Sequence, residues 1–184
     1  MFSKLFGRTG ETRGDPSQIY LDGSYRPHQK DDVGHFTDLA RAAFPAFADR
    51  IECFGADWLG RQFAKDQGRM EAGEPLVLML EPGTGEALEI PASFATFHER
   101  ELIAEPDAVA AFSFFKEWLS VGGAAPKYDQ CIGYKVPLFL GGADAVANLT
   151  VSDFDVYWTI SAQLLAKVRS LPEGTVINRV SISD

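Results

Sequence analysis

A length of 184 residues and a hydrophobic fraction of 46% suit one folded domain with a sizeable core, to which fourteen Phe and three Trp bring large apolar areas. The formal net charge of −9 argues against direct nucleic-acid binding, because residues 31–120 hold seven basic and seventeen acidic side chains and would repel a phosphate backbone. No apolar run reaches the ~20 residues of a membrane span, and the N-terminus lacks the apolar core of a signal peptide, so a cytoplasmic protein without membrane contact is expected. The acidic centre keeps the chain soluble or suits a basic protein partner.

Residues 1–30 read as a mostly flexible tail, rich in Gly, Ser, Thr and charge. Residues 31–184 read as a single α+β domain, with a sub-boundary at the Gly/Ala/Pro loop 121–128. The first helix is predicted over Val33–Phe44, capped by Asp31 or Asp32 and stopped by Pro45. Its Phe36 and Phe44, with Phe47, belong to the core. Ile51–Lys65 alternates around Gly55-Ala56-Asp57 and predicts a hairpin with that triplet as the turn. Asp66–Glu74 reads as a polar loop. Leu76–Leu80 and Ala87–Pro91 read as two strands joined by Pro82-Gly83-Thr84-Gly85, where Pro fixes one φ and the glycines supply positive ones. Ser93 then caps a short helix carrying Phe94, Phe97 and Leu102. A second, strongly aromatic helix starts at Pro106-Asp107 and runs through Phe115 to Leu119. Cys131–Leu140 reads as a strand broken by Pro137, and Asn148–Val151 as a short strand. Ser152 or Asp153 caps a helix to about Arg169, with Val156, Ile160, Leu164, Leu165 and Val168 as its buried stripe. Thr175–Ile182 reads as a final strand. The expected architecture is a mainly antiparallel sheet built from hairpins, with helices packed on one side.

No catalytic signature emerges. Gly83 and Gly85 fail the dinucleotide fingerprint, since Leu88 stands at the third glycine position, and no Gly-Lys-Ser/Thr follows. No Gly-x-Ser-x-Gly or His-Glu-x-x-His is present. His98 reads as a surface residue on the capped helix, with Glu101 three residues on as a local partner. Cys53 and Cys131 form neither a CxxC pair nor a metal spacing and read as small buried hydrophobes. The reading is therefore a non-enzymatic domain without cofactor or metal.

Scattered residues carry a family pattern. The run Gly55-Ala56-Asp57-Trp58-Leu59-Gly60-Arg61-Gln62-Phe63-Ala64, then Leu80–Glu86, Ser93-Phe94 and Phe97-His98, recurs with Gly133–Gly142, Asn148-Leu149 and Val156-Tyr157-Trp158. Over roughly residues 50–182 this resembles the C-terminal domain of type VI secretion immunity proteins and, more loosely, the SUKH superfamily of immunity and regulatory domains. The resemblance implies a mixed α+β domain that binds a cognate toxin and blocks it by occlusion, with no catalytic residue to carry over. An acidic inhibitor would mimic phosphate charge in the basic cleft of a nuclease toxin. The candidate face is Asp66, Glu71 and Glu74 of the polar loop, together with Asp57. A regulatory interaction module of the same fold and a small-molecule-binding domain stay open as alternatives.

Overall fold

The computed structural model describes residues 20–172. Residues 1–19 and the strand expected over Thr175–Ile182 lie outside the described residues. Five strands form an antiparallel meander in spatial order: β1 (Tyr25–Pro27), β2 (Ile51–Asp57), β3 (Gln62–Glu71), β4 (Glu74–Glu81) and β5 (Glu86–Ser93). A second, two-stranded sheet pairs β6 (Gln130–Tyr134) with β7 (Leu149–Asp153). The helices are α1 (Val33–Ala43), α2 (Phe94–Thr96), α3 (Leu102–Ala104), α4 (Pro106–Ala110), α5 (Phe112–Ser120) and α6 (Phe154–Arg169), with one π turn over Phe97–Glu101 between α2 and α3. The α+β class and the hairpin-built antiparallel sheet agree with the sequence reading.

Helices cover both faces of the large sheet rather than one. The reason lies in β4, whose run Leu76–Leu80 is apolar on both sides of the pleat. Leu78 and Leu80 pack with Cys53, Ala56 and Ala64 against α1 and α6, through Phe36, Phe44, Trp158 and Leu165. Val77 and Met79 pack on the opposite face with Phe54 and Phe63 against Phe97, Leu102 and Val109. Successive side chains of a strand point to opposite faces, so two helical layers are needed to keep this one strand from water.

Several local signals act as expected. The Ser93 side chain accepts from Thr96 N, and the Asp153 side chain accepts from Val156 N. The turn after Glu81 joins β4 to β5. Cys53 and Cys131 are buried free thiols, and burial pushes the Cys53 thiol up to about 12, far from a reactive thiolate.

Four expectations are corrected. Gly55-Ala56-Asp57 continues β2, and the chain turns instead at Trp58-Leu59-Gly60-Arg61. There Gly60 has φ +79, and a Cβ would meet Cys131 at 3.0 Å. Asp66–Glu74 is not a loop, since β3 runs on to Glu71 and Ala72-Gly73 alone make the turn, both with positive φ. The aromatic helix is broken at Ala111, which takes φ 46 and ψ 47. Residues 20–30 are no tail where they form β1: Tyr25 is fully buried, edge-on to Phe63 and Phe97. In addition, α6 is rotated from its predicted stripe. Phe154, Tyr157, Trp158 and Ser161 face inward with Leu164 and Leu165, while Val156 is exposed.

Candidate protein-binding cleft

Of the four acids expected on the binding face, two are surface groups and two are not. Glu71 and Glu74 are exposed and face each other in register at the tip of the β3–β4 hairpin. Asp66 is fully buried and clasped by Arg50, with Nε 3.0 Å from Oδ1 and Nη2 donating to Oδ2 at 3.2 Å. It also accepts from Gly68 N at 2.9 Å. Asp57 is fully buried and takes two bonds from Arg61, from Nε at 2.6 Å and from the backbone N at 2.9 Å. Both aspartates therefore hold the fold. The length of β3 separates Asp57 from the glutamate tip, so the four do not converge.

Asp57 instead holds Arg61, which lines a different concave site. The β2–β3 turn is a junction for the whole molecule. Trp58 donates from Nε1 to Ala110 O at 3.0 Å, and Arg61 from Nη2 to Val109 O at 3.2 Å. Trp158 donates from Nε1 to Gly60 O at 2.9 Å, and Ile132 N donates to Trp58 O at 2.7 Å. These bonds explain the break at Ala111. The carbonyls of Val109 and Ala110 are drawn to the turn, and Ser113 N bonds the Asp107 carboxylate instead of continuing the helical ladder. That carboxylate is held below its usual range by the bonds from Ser113.

A cleft of about 420 Å³ opens beside this junction. One wall comes from the meander: Leu59, Arg61, Glu81 and Thr84. The other comes from α5, the end of β6 and the segment after it, including Phe114, Glu117, Tyr134 and Asp144. The walls are tied together. Leu138 N donates to Gly83 O at 2.9 Å, and the Tyr134 ring lies so close to Gly83 that a Cβ there would meet it at 2.8 Å. The loop over residues 135–148 is closed by Asn148, whose amide donates to Val136 O and Ala143 O while its Oδ1 accepts from Val136 N. Tyr134 donates to Asp144 Oδ1 at 2.7 Å, and its hydroxyl is held well above its ordinary pKa by burial first and by that carboxylate second.

The electrostatics of the cleft are acidic. Asp57 offsets Arg61 at 2.6 Å, Arg61 also acts on Glu81, and Glu81, Glu117 and Asp144 together give the walls an excess of negative charge. Burial raises the Glu81 carboxyl above its ordinary value, against the pull of Arg61. Among the described residues no group of three His, Cys, Asp or Glu is placed to hold a metal ion. No helix among them is long and apolar enough to cross a membrane.

One segment of the chain matches a known family. Residues 108–165 match the family described as T6SS immunity protein Tdi1, C-terminal. The match spans just under a third of the chain and bears out the resemblance to type VI secretion immunity domains. The matched segment contains Phe114, Glu117, Tyr134 and Asp144, which line the second wall of the cleft. The chain is also similar in fold to the crystal structure of Atu4351 from Agrobacterium tumefaciens. The TM-score is 0.53 at 18% identity, over 79% of this chain and 69% of that one. No curated protein matches the chain.

Sequence reasoning missed the cleft because its residues are far apart in the chain and individually unremarkable. Tyr134 is legible as an aromatic residue, but Arg61, Glu81 and Asp144 carry no local pattern. His98 is likewise not a surface residue. It is half-buried among Tyr25, Phe54 and Phe94, bonds the Tyr25 hydroxyl at 2.8 Å and Phe94 O at 2.9 Å, and burial lowers its pKa. Glu101 pairs with Arg100 rather than with it.

Proposed function

We propose that this chain is a non-enzymatic immunity protein that neutralises a cognate secreted toxin in the cytoplasm of the producing cell by occluding it. The observation that carries this reading is the match of residues 108–165 to the Tdi1 C-terminal family. The charge distribution supports it. An acidic surface speeds encounter with a basic partner and suits a nuclease, whose own cleft is built for phosphate. Glu71 and Glu74, exposed side by side on a protruding hairpin, are the acids from the expected face that a toxin can meet without unfolding the inhibitor.

The test is capture of binding partners from the bacterium that encodes the chain, with identification by mass spectrometry. A secreted toxin domain that is recovered, and whose growth arrest is relieved by co-expression, is the expected result. Recovery of housekeeping proteins alone would replace this reading with a regulatory module of the same fold. The cleft favours a second reading, a small-molecule-binding domain, since its volume falls in the range such sites use. A metabolite that co-purifies and is lost on mutating Glu81 would support that one.

A further inference from the structure

We infer that the cleft between the β4–β5 turn and the segment after β6 takes a single basic side chain, an arginine or lysine, presented by the partner protein. The inference rests on the toxin-binding reading and names where the partner is anchored. Three features of the cleft converge on that chemistry. First, its carboxylates stand on opposite walls, Glu81 on the meander and Asp144 and Glu117 on the C-terminal segment, so a cation between them is flanked from both sides. Second, Glu81 is a half-buried carboxylate on the cleft wall whose side chain accepts no hydrogen bond among the described residues, so it is available to a ligand in the cleft. Arg61, the nearest cation, is already engaged by Asp57 and by Val109 O. Third, the rings of Phe114 and Tyr134 and the aliphatic Leu59 and Leu138 give the walls apolar surface, which suits the methylene stem of a long basic residue and the face of a guanidinium.

The competing ligand classes fit less well. An anion would face three carboxylates against one cation that is already paired. A purely apolar group would strip water from Glu81 and Asp144 without replacing its hydrogen bonds. A basic side chain satisfies the carboxylates, and an arginine seated in a cleft is the sort of anchor on which interface affinity concentrates.

The geometry is rigid enough for the task. Asn148 closes the neck of the 135–148 loop, Leu138 N is bonded to the β4–β5 turn, and the Tyr134 hydroxyl fixes Asp144. The pocket is therefore formed before the partner arrives, and little ordering opposes binding.

The test uses Nα-acetyl-arginine amide as the probe, titrated into the full chain and followed by NMR of the Tyr134 and Phe114 rings. Saturable shifts at both rings are expected. Glu81→Gln and Asp144→Asn, each read separately so that a folding defect in one does not hide the result, should weaken binding about tenfold, as for loss of one charge-assisted contact. Glu99→Gln, on an exposed position outside the cleft, should leave the shifts unchanged. Absence of saturable shifts, equal shifts with Nα-acetyl-norleucine amide, or unchanged affinity in both cleft variants would overturn the inference. If the probe fails while a toxin is captured from the host, only this anchor falls. If the probe binds and no toxin is captured, the toxin reading falls and the cation site remains.

Discussion

Asp57 and Arg61 show how much a single pair can decide in this chain. Both are buried, so the pair has exchanged hydration for hydrogen bonds to each other, and Arg61 adds one to Val109 O. Arg61→Met is expected to destabilise the protein by about 3–5 kcal/mol, because it leaves a buried carboxylate without its countercharge. Chemical denaturation would check this, and a loss under about 1 kcal/mol would mean that the pair is not structural. His28 supplies a second, pH-dependent case. It stacks on Phe36 at 3.9 Å, and Gln62, oriented by donating to Phe36 O, accepts from its Nε2 at 3.1 Å. Nδ1 is buried with no partner among the described residues, and burial lowers the pKa to about 3. The unfolded imidazole titrates near 6.5, so below that pH the unfolded state binds a proton that the folded state refuses. Stability is therefore complete above about pH 6.5 and falls as the pH drops toward 3. The loss between pH 7 and pH 5 from this group is about 2 kcal/mol. Unfolding measured across that range should show the slope, and His28→Phe should remove it.

Among the elements, the break between α4 and α5 is the one whose sequence gives least warning. Val109, Phe112, Phe115 and Leu119 keep a helical spacing across it. The carbonyls of Val109 and Ala110 are nevertheless claimed by Arg61 and Trp58, and Ala111 is left in the left-handed region at a cost of about 1 kcal/mol. Ala111→Gly should accordingly be neutral or slightly stabilising, since relief of that strain offsets the added freedom of the unfolded chain. Ala166→Gly, on the exposed side of α6, should cost about 1 kcal/mol as in any helix interior. Thermal unfolding of the two variants separates them, and an equal loss in both would show that Ala111 is not strained. Where capping chemistry is local, as at Ser93 and Asp153, sequence and structure coincide. Where a distant side chain competes for a backbone group, as at Ala111, only the folded arrangement carries the information.

For the whole molecule, the question is which acids a partner can reach. Charge reversal at Asp66 would break the Arg50 clasp and report on folding rather than on binding. Glu71→Lys with Glu74→Lys alters only the exposed hairpin tip. It is expected to slow association with a basic toxin about tenfold at low salt, with little change in dissociation. Stopped-flow binding at two ionic strengths would test this, and an unchanged association rate would remove the tip from the encounter surface. The amino-acid sequence by itself determined the α+β class, the hairpin around Pro82–Gly85 and the helix caps at Ser93 and Asp153, because each depends on residues adjacent or periodically spaced in the chain, and its scattered shared residues carried the likeness to immunity domains; the cap expected from Asp31 or Asp32 makes no bond to the first helix. Only the tertiary structure decided that Asp57 and Asp66 are buried, that helices cover both faces of the sheet, and that Glu81, Tyr134 and Asp144 share one cleft. Burial and convergence depend on contacts between residues tens of positions apart, and no local pattern of charge or hydropathy encodes which acid folds inward and which remains in water.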